Sequence, residues 1–202
     1  EARAKINVAD TRAAIWHPHG ARSQPAKLAK GLADAAERLG VEIYERTRAV
    51  EIAPHRVVTT HGTVSAEHIV RATEGFTANL KGLHRLWLPM NSSLIATEPL
   101  STEVWDQLRW SEGEVLGDFA HVYMYAQRTA DDRIAIGGRG VPYKYGSRTD
   151  TDGHTPDVTV DTLSEIMHRF FPATQGAAID HVWSGVLGVL ASVMSGHVGA
   201  SV

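Results

Sequence analysis

The sequence contains no cysteine. That excludes disulfides, thiolate nucleophiles, zinc–thiolate sites and iron–sulfur clusters within these residues, and it fits a cytoplasmic protein. A glycine fingerprint of the form G-x-G-x-x-G is also missing. The run Gly137-Gly138-Arg139-Gly140 does not match it, and no helix signal follows. The pyrophosphate cradle that a strand–turn–helix junction builds for a dinucleotide is therefore not encoded here. Basic excess is absent: the net charge is -3 and the pI about 6.4, which favours neither nucleic acid nor an anionic membrane surface. No apolar run approaches the roughly 20 residues that span a bilayer. The start, EARAKINVAD, has no basic region leading into an apolar stretch, so no signal peptide is visible. It has no initiator Met either, as expected of a fragment.

What is present is ordinary globular material. The 202 residues are 43% hydrophobic and 21% charged, enough for one domain or one and a part, with a real core. Residues 13–17 read as a short strand, and His17-Pro18-His19-Gly20 as a turn. Ser23 is placed to cap a helix with Pro25 in its first turn, where a missing N–H is harmless. Leu28, Leu32, Ala35, Ala36 and Leu39 recur at helical spacing, and Gly40 suits a helix terminator. VEIYE at 41–45 follows as a strand, with Val41 and Ile43 on one face.

A meander comes next. AVEIAPHRVVTT reads as strand, turn, strand; HGT at 61–63 as a tight turn; VSAEHIVRAT as a returning strand, buried at Ile69-Val70-Arg71-Ala72. A strand–helix–strand unit followed by hairpins predicts one sheet with parallel and antiparallel parts. Further on, FTANLKGLHRLW carries a short helix broken at Gly82. LPMNSSLIATEPL is a strand closing at Pro99, and STEVWDQLRW a short helix capped by Ser101 or Thr102. HVYMYAQRTADDRIAIGG is the clearest hairpin, with Ala130-Asp131-Asp132 at its tip. An amphipathic helix then carries Val160, Leu163, Ile166, Met167 and Phe170 on its apolar stripe and ends at Pro172. AAIDHVWSGVLGV is the final strand. The five tryptophans read as packing residues.

Two stretches could line a ligand cavity. In HVYMYAQ, His121, Tyr123, Tyr125 and Gln127 share one face of a strand, opposite Val122, Met124 and Ala126. The same alternation fits an amphipathic strand with a wet outer face. Downstream, Gly137-Gly138 permits close approach of a backbone or a flat ligand. Arg139 could pair with a carboxylate in a bidentate manner, and Tyr143 and Tyr145 could wall the site. A glycine-softened strand end with a surface Arg fits equally. His17 and His19 have no third ligand at metal-site spacing. No G-x-S-x-G nucleophile elbow occurs.

Six segments then appear in one order: PAKL at 25–28, GLADAAERLGVEIYERTRAVEI, GTVSAEHIVRATEGF, LPMNSSLIATEPL, DRIAIGGRG and DHVWSGVLG. Together they resemble the FAD-dependent amine oxidoreductases of the D-amino-acid oxidase, glycine oxidase and sarcosine oxidase family, in particular its γ-glutamylputrescine oxidase-like branch. The resemblance runs to about Gly188. It implies an α/β plus α+β protein: an incomplete Rossmann-like FAD domain segment with an antiparallel-sheet substrate domain. Residues 1–22 would be a substrate-domain strand and connection, 23–82 part of the FAD-binding domain, 83–182 the substrate domain, and 183–202 a truncated return to the FAD domain.

The resemblance also implies site residues. Val50 would meet adenine through its backbone. Ala72, Thr73 and Gly75 match the turn beside the cofactor, with Glu74 interrupting the commoner Ala-Thr-Gly order. Gly185 and Gly188 of the W-x-G-x-x-G stretch belong to the cofactor side. His121, Tyr123, Tyr125, Arg139 and Tyr143 would bind substrate; no residue is assigned to catalysis and none to metal. The implied chemistry is oxidation of a C–N bond in an amine or amino acid: hydride passes from the neutral amine to flavin N5, and the imine hydrolyses. FAD is the implied cofactor and a small amine or amino acid the implied partner. Nucleic acid and a membrane span are not expected. Ser195-Gly196-His197 reads as a remnant of a Gly-His-Gly segment that meets the flavin in the family. With the fingerprint missing and this segment altered, weak or absent FAD binding is expected of these residues alone. Two other readings stand beside this one: a non-catalytic ligand-binding or interaction module derived from the fold, and a different α+β enzyme.

Overall fold

The computed structural model describes residues 2–120, 123–138, 143–149 and 153–190. Its elements are α1 (Ala2–Lys5), α2 (Pro25–Arg38), β1 (Ala49–Ala53), β2 (Arg56–Thr59), β3 (Thr63–Ser65), β4 (Trp87–Thr97), α3 (Thr102–Leu108), β5 (Val115–Gly117), β6 (Tyr125–Arg128), β7 (Ile134–Gly138), α4 (Asp157–Phe170) and β8 (Ile179–Leu190), with 3-10 turns at Glu74–Asn79 and Pro172–Thr174. They form two compact units. The first comprises Glu1–Arg22, Asn91–Lys144 and Asp150–Gly185; the second comprises Ser23–Met90, Tyr145–Thr149 and Val186–Val202.

The first unit is built on a five-stranded sheet in the order β5-β6-β7-β4-β8. The β5–β6, β6–β7 and β7–β4 pairs are antiparallel. Period-two alternation sends Met124, Ala126, Ile134, Ile136 and Ile95 to one face, where all are buried. Helix α4 lays Leu163, Ile166 and Met167 onto this core, while Val160 and Phe170 pack at its margin. Trp105, Trp110 and Phe171 complete it: the Trp110 ring lies 6.3 Å from Trp105 and 5.7 Å from Phe171. The Arg128 guanidinium stacks 4.2 Å over the Trp105 ring and donates to the Trp110 carbonyl at 2.7 Å. Near the N-terminus, Ile6 joins the core. There the Asn7 N–H donates to the Leu108 carbonyl at 2.7 Å and the Ala9 N–H to the Phe170 carbonyl at 2.9 Å. Both accepting carbonyls are at helix ends, where no intrahelical donor reaches them.

The second unit is more open. A three-stranded antiparallel meander, β1-β2-β3, is its only sheet among the described residues. Helix α2 starts with Gln24 as its cap, whose side chain accepts the Lys27 N–H at 2.7 Å. Ser23 lies one position too early for that role. The helix stops where expected: Gly40 takes φ +89° and donates to the Glu37 carbonyl. Yet α2 buries no residue; Leu28, Leu32 and Leu39 are exposed at 58%, 63% and 87%.

Three expected strands do not form. Residues 13–17, 41–45 and 68–73 carry no strand pairing, and Ile15, Val41, Ile43 and Val70 are exposed. Their apolar composition suits a strand, but a strand exists only where a neighbour takes up its N–H and C=O groups. The returning strand of the meander is accordingly confined to Thr63–Ser65. Among the described residues there are two sheets instead of one mixed sheet, and every described register is antiparallel. Trp16 and Trp183 are exposed at 60% and 41%, so packing accounts for Trp105 and Trp110 but not for these two.

Candidate functional site

In the first unit, the sheet face opposite the core carries Tyr125, which is directly opposite Gly137 on β7. A Cβ at Gly137 would lie 2.6 Å from Tyr125 Cζ and 2.7 Å from Leu94 Cγ. The glycine therefore makes room for the Tyr125 ring to lie over the neighbouring strand. Gly138 has φ +143°, and a Cβ there would meet the Tyr123 carbonyl oxygen at 2.6 Å. Both glycines thus accommodate parts of the protein's own β6 segment, where the sequence alone also allowed a flat ligand. The Tyr125 hydroxyl shares a hydrogen bond with Ser92 Oγ at 3.0 Å. Tyr123 lies 6.3 Å away, ring to ring, and is 59% exposed. The result is a wall of two phenols and one hydroxyl, with Tyr125 fixed and Tyr123 free to meet solvent. Tyr143 belongs to the same unit and is exposed. His121 and Arg139 lie outside the described residues.

Ser92 was not singled out from the sequence. It lies on β4, about 30 residues before Tyr125, and only the sheet order brings the two together. Behind the wall, Ser184 Oγ bonds Ser93 Oγ at 2.9 Å and Thr155 Oγ1 at 2.5 Å. This hydroxyl cluster satisfies polar atoms beside Gly185, whose own Cβ position is open.

In the second unit, Val50 is the extra residue of a β-bulge: Ala49 pairs with Thr59 and Glu51 with Val58. A bulge leaves one residue outside the ladder and bends the strand, and Val50 is exposed. Ala72 is exposed and Thr73 half-buried, with the Thr73 hydroxyl bonded to Thr77 Oγ1 at 2.7 Å. Gly75 is buried against the last part of β8. A Cβ on it would lie 2.7 Å from Val186 Cγ1 and 3.0 Å from the Gly188 nitrogen. Gly75 and Gly188, far apart in sequence, are therefore pressed backbone to backbone. A shallow groove of about 430 Å³ lies elsewhere in this unit, lined by Ile52–His55 and Glu67–Ile69.

Residues 1–200 match the family described as DAO, FAD dependent oxidoreductase. The chain belongs to this family. The resemblance to this family carried by the six ordered segments is thus correct at the level of the family, and the DAO family is FAD-dependent. Among curated relatives, the chain is 28% identical over 180 residues to a probable oxidoreductase, OrdL, of Haemophilus influenzae; the match covers 85% of this chain and 38% of OrdL. Among solved structures, it is similar to glycine oxidase from Geobacillus kaustophilus, with a TM-score of 0.63, 24% identity, and coverage of 82% of this chain and 42% of that one. A modified fructosyl peptide oxidase from Aspergillus nidulans gives a TM-score of 0.66 at 14% identity, covering 82% and 44%. The DAO-family chain therefore spans about two fifths of the length of these proteins. Among the described residues, no helix is long and apolar enough to cross a membrane.

The described residues fit FAD in part. Val50 and Ala72 are exposed, as residues that meet a cofactor must be, whereas Gly75 and Gly188 are closed against one another. The pyrophosphate has no glycine-rich cradle in this sequence.

Proposed function

We propose that the chain forms part of an FAD-dependent oxidoreductase that oxidises the C–N bond of an amine or amino acid. In this reading the second unit is a portion of the cofactor domain and the first unit is the substrate domain. The observation that carries the reading is the wall of Ser92, Tyr125 and Tyr123 on an antiparallel sheet in a DAO-family chain. The similar structures named for glycine and for fructosyl peptides support an amine as the reacting group.

When bound, the flavin supplies the hydride acceptor. The protein's own part is to position and to shield. Tyr125, held by Ser92, offers a hydroxyl that donates or accepts at a fixed point, and Tyr123 offers a ring that covers the substrate from water. Within the second unit, Val50, Ala72, Thr73, Gly75 and Gly188 would present backbone to the cofactor. The test is anaerobic bleaching of the flavin in the protein as translated from its complete gene. Bleaching by an amine or amino acid supports the reading. Bleaching by hydroxy acids alone, with amines inert, overturns it.

The exposed apolar face of the second unit fits a unit that is completed by further chain. Leu28, Leu32, Leu39, Val41, Ile43 and Val70 are all exposed there, and the similar proteins are about twice as long. The 202 residues alone are expected to retain little FAD. Purification with FAD, followed by desalting and a visible spectrum, measures this; a stoichiometric yellow cofactor overturns it.

A further inference from the structure

Glu74 stands where the resemblance leads one to expect no side chain of consequence. Its backbone is left-handed, φ 46°, a conformation that costs a non-glycine residue energy unless something holds it. Its Oε2 accepts the N–H of Gly75 and also the N–H of Gly188. These two donors come from backbones in close contact: a Cβ on Gly188 would lie 3.0 Å from the Gly75 nitrogen and 3.1 Å from its Cα. Two N–H groups directed at one place repel unless an acceptor sits between them. Neither glycine has a side chain that could bridge the gap. One carboxylate oxygen does so, through charge-assisted bonds of the stronger kind.

We propose that Glu74 is a positioning residue, a clasp that fixes the Thr73–Gly75 turn against the end of β8. The role rests on the reading that both stretches flank the cofactor. The clasp acts through geometry: one oxygen, at the reach of a Glu side chain, bridges the N–H groups of two backbones. Thr73 and Thr77 brace the turn from the other direction through their hydroxyl pair.

Amide exchange of the isotopically labelled 202-residue chain tests the clasp directly, with the β1–β2 hairpin amides as internal reference. E74A should speed exchange at Gly75 and Gly188 by roughly tenfold or more, the effect of losing charged-acceptor hydrogen bonds. E74G should do the same while relieving the left-handed backbone, which separates the clasp from strain. E74Q should restore protection, because its amide oxygen has the same reach; E74D, one methylene shorter, should not. Unchanged exchange in both E74A and E74G overturns the clasp, as does equal loss in E74Q and E74A. Flavin affinity in the protein translated from its complete gene then tests the link to the cofactor. Affinity weakened by roughly tenfold in E74A and near wild type in E74Q supports it; undiminished affinity in E74A overturns the positioning role even where exchange has shown the clasp.

Discussion

The two units bury their apolar residues in opposite ways. In the first, Ile95, Trp110, Ile134, Ile136, Leu163, Met167 and Phe171 are almost wholly shielded. In the second, the buried positions cluster around Gly75–Leu80, while an amphipathic helix leaves its leucines in water. The difference follows from topology. An antiparallel sheet assembles from hairpins that supply their own neighbours, and α3 and α4 cover one face with residues from the same chain. In the second unit the extended segments at 41–45 and 68–73 have no strand partner among the described residues. Hydrophobic pattern alone looks alike in the two cases.

Removing large side chains from each unit is the most forceful way to break this comparison. W110A should cost about 3–5 kcal/mol of unfolding free energy, as large-to-small changes in packed cores do. L32A, on the exposed helix face, should change it by less than about 0.5 kcal/mol. Denaturant unfolding measures both; similar costs would mean that the second unit has a core of its own. G137A should come next, at about 1–3 kcal/mol, because its methyl would be driven into the Tyr125 ring. Adding Y125A should recover part of that loss, and additive costs would show that the ring does not fill the space over β7.

The smallest effect is electrostatic. At the β6–β7 tip, the Arg133 guanidinium donates to Asp131 at 2.8 Å and also to Asp180. Hydrogen bonds from Thr129 and then Arg133 hold the Asp131 carboxyl below its ordinary range; the bond from Arg133 does the same for Asp180. A depressed carboxylate contributes stability at pH above its unfolded value, about 3.9. That stability is lost as pH falls through the lower folded value. D180N should therefore flatten the acid side of the stability profile slightly, with little change in the shape near neutrality. An unaltered acid limb would show that this exposed pair contributes nothing.

Local features were legible in the sequence. The Pro54-His55 and Ala130–Asp132 turns mark their hairpins because adjacent strands need only a turn to meet. Helices α2 and α4 follow from spacing and from their end signals. The family followed from the order of six motifs. Strands at 41–45 and 69–72 were misread because composition records what a segment prefers, while pairing depends on residues that must be elsewhere. The candidate site was legible in part. Tyr123 and Tyr125 were found by alternation, and the Gly137-Gly138 pair was noticed without its occupant. Ser92 and Glu74 were missed as contributors because each acts across a long sequence separation, on Tyr125 and Gly188 respectively. Glu74 left one signal, a break in an expected Ala-Thr-Gly order.

The N-terminal tie of the first unit also sets a schedule. Ala9 donates to Phe170 and Asn7 to Leu108, so these two residues wait for partners made much later in the same stretch. At roughly 5–20 residues per second, the partner of Ala9 emerges about 8–30 s after it. Until then Ile6 lacks part of its core and strands β4–β7 have no α4 to cover them. The first unit therefore closes only after α4 has been made.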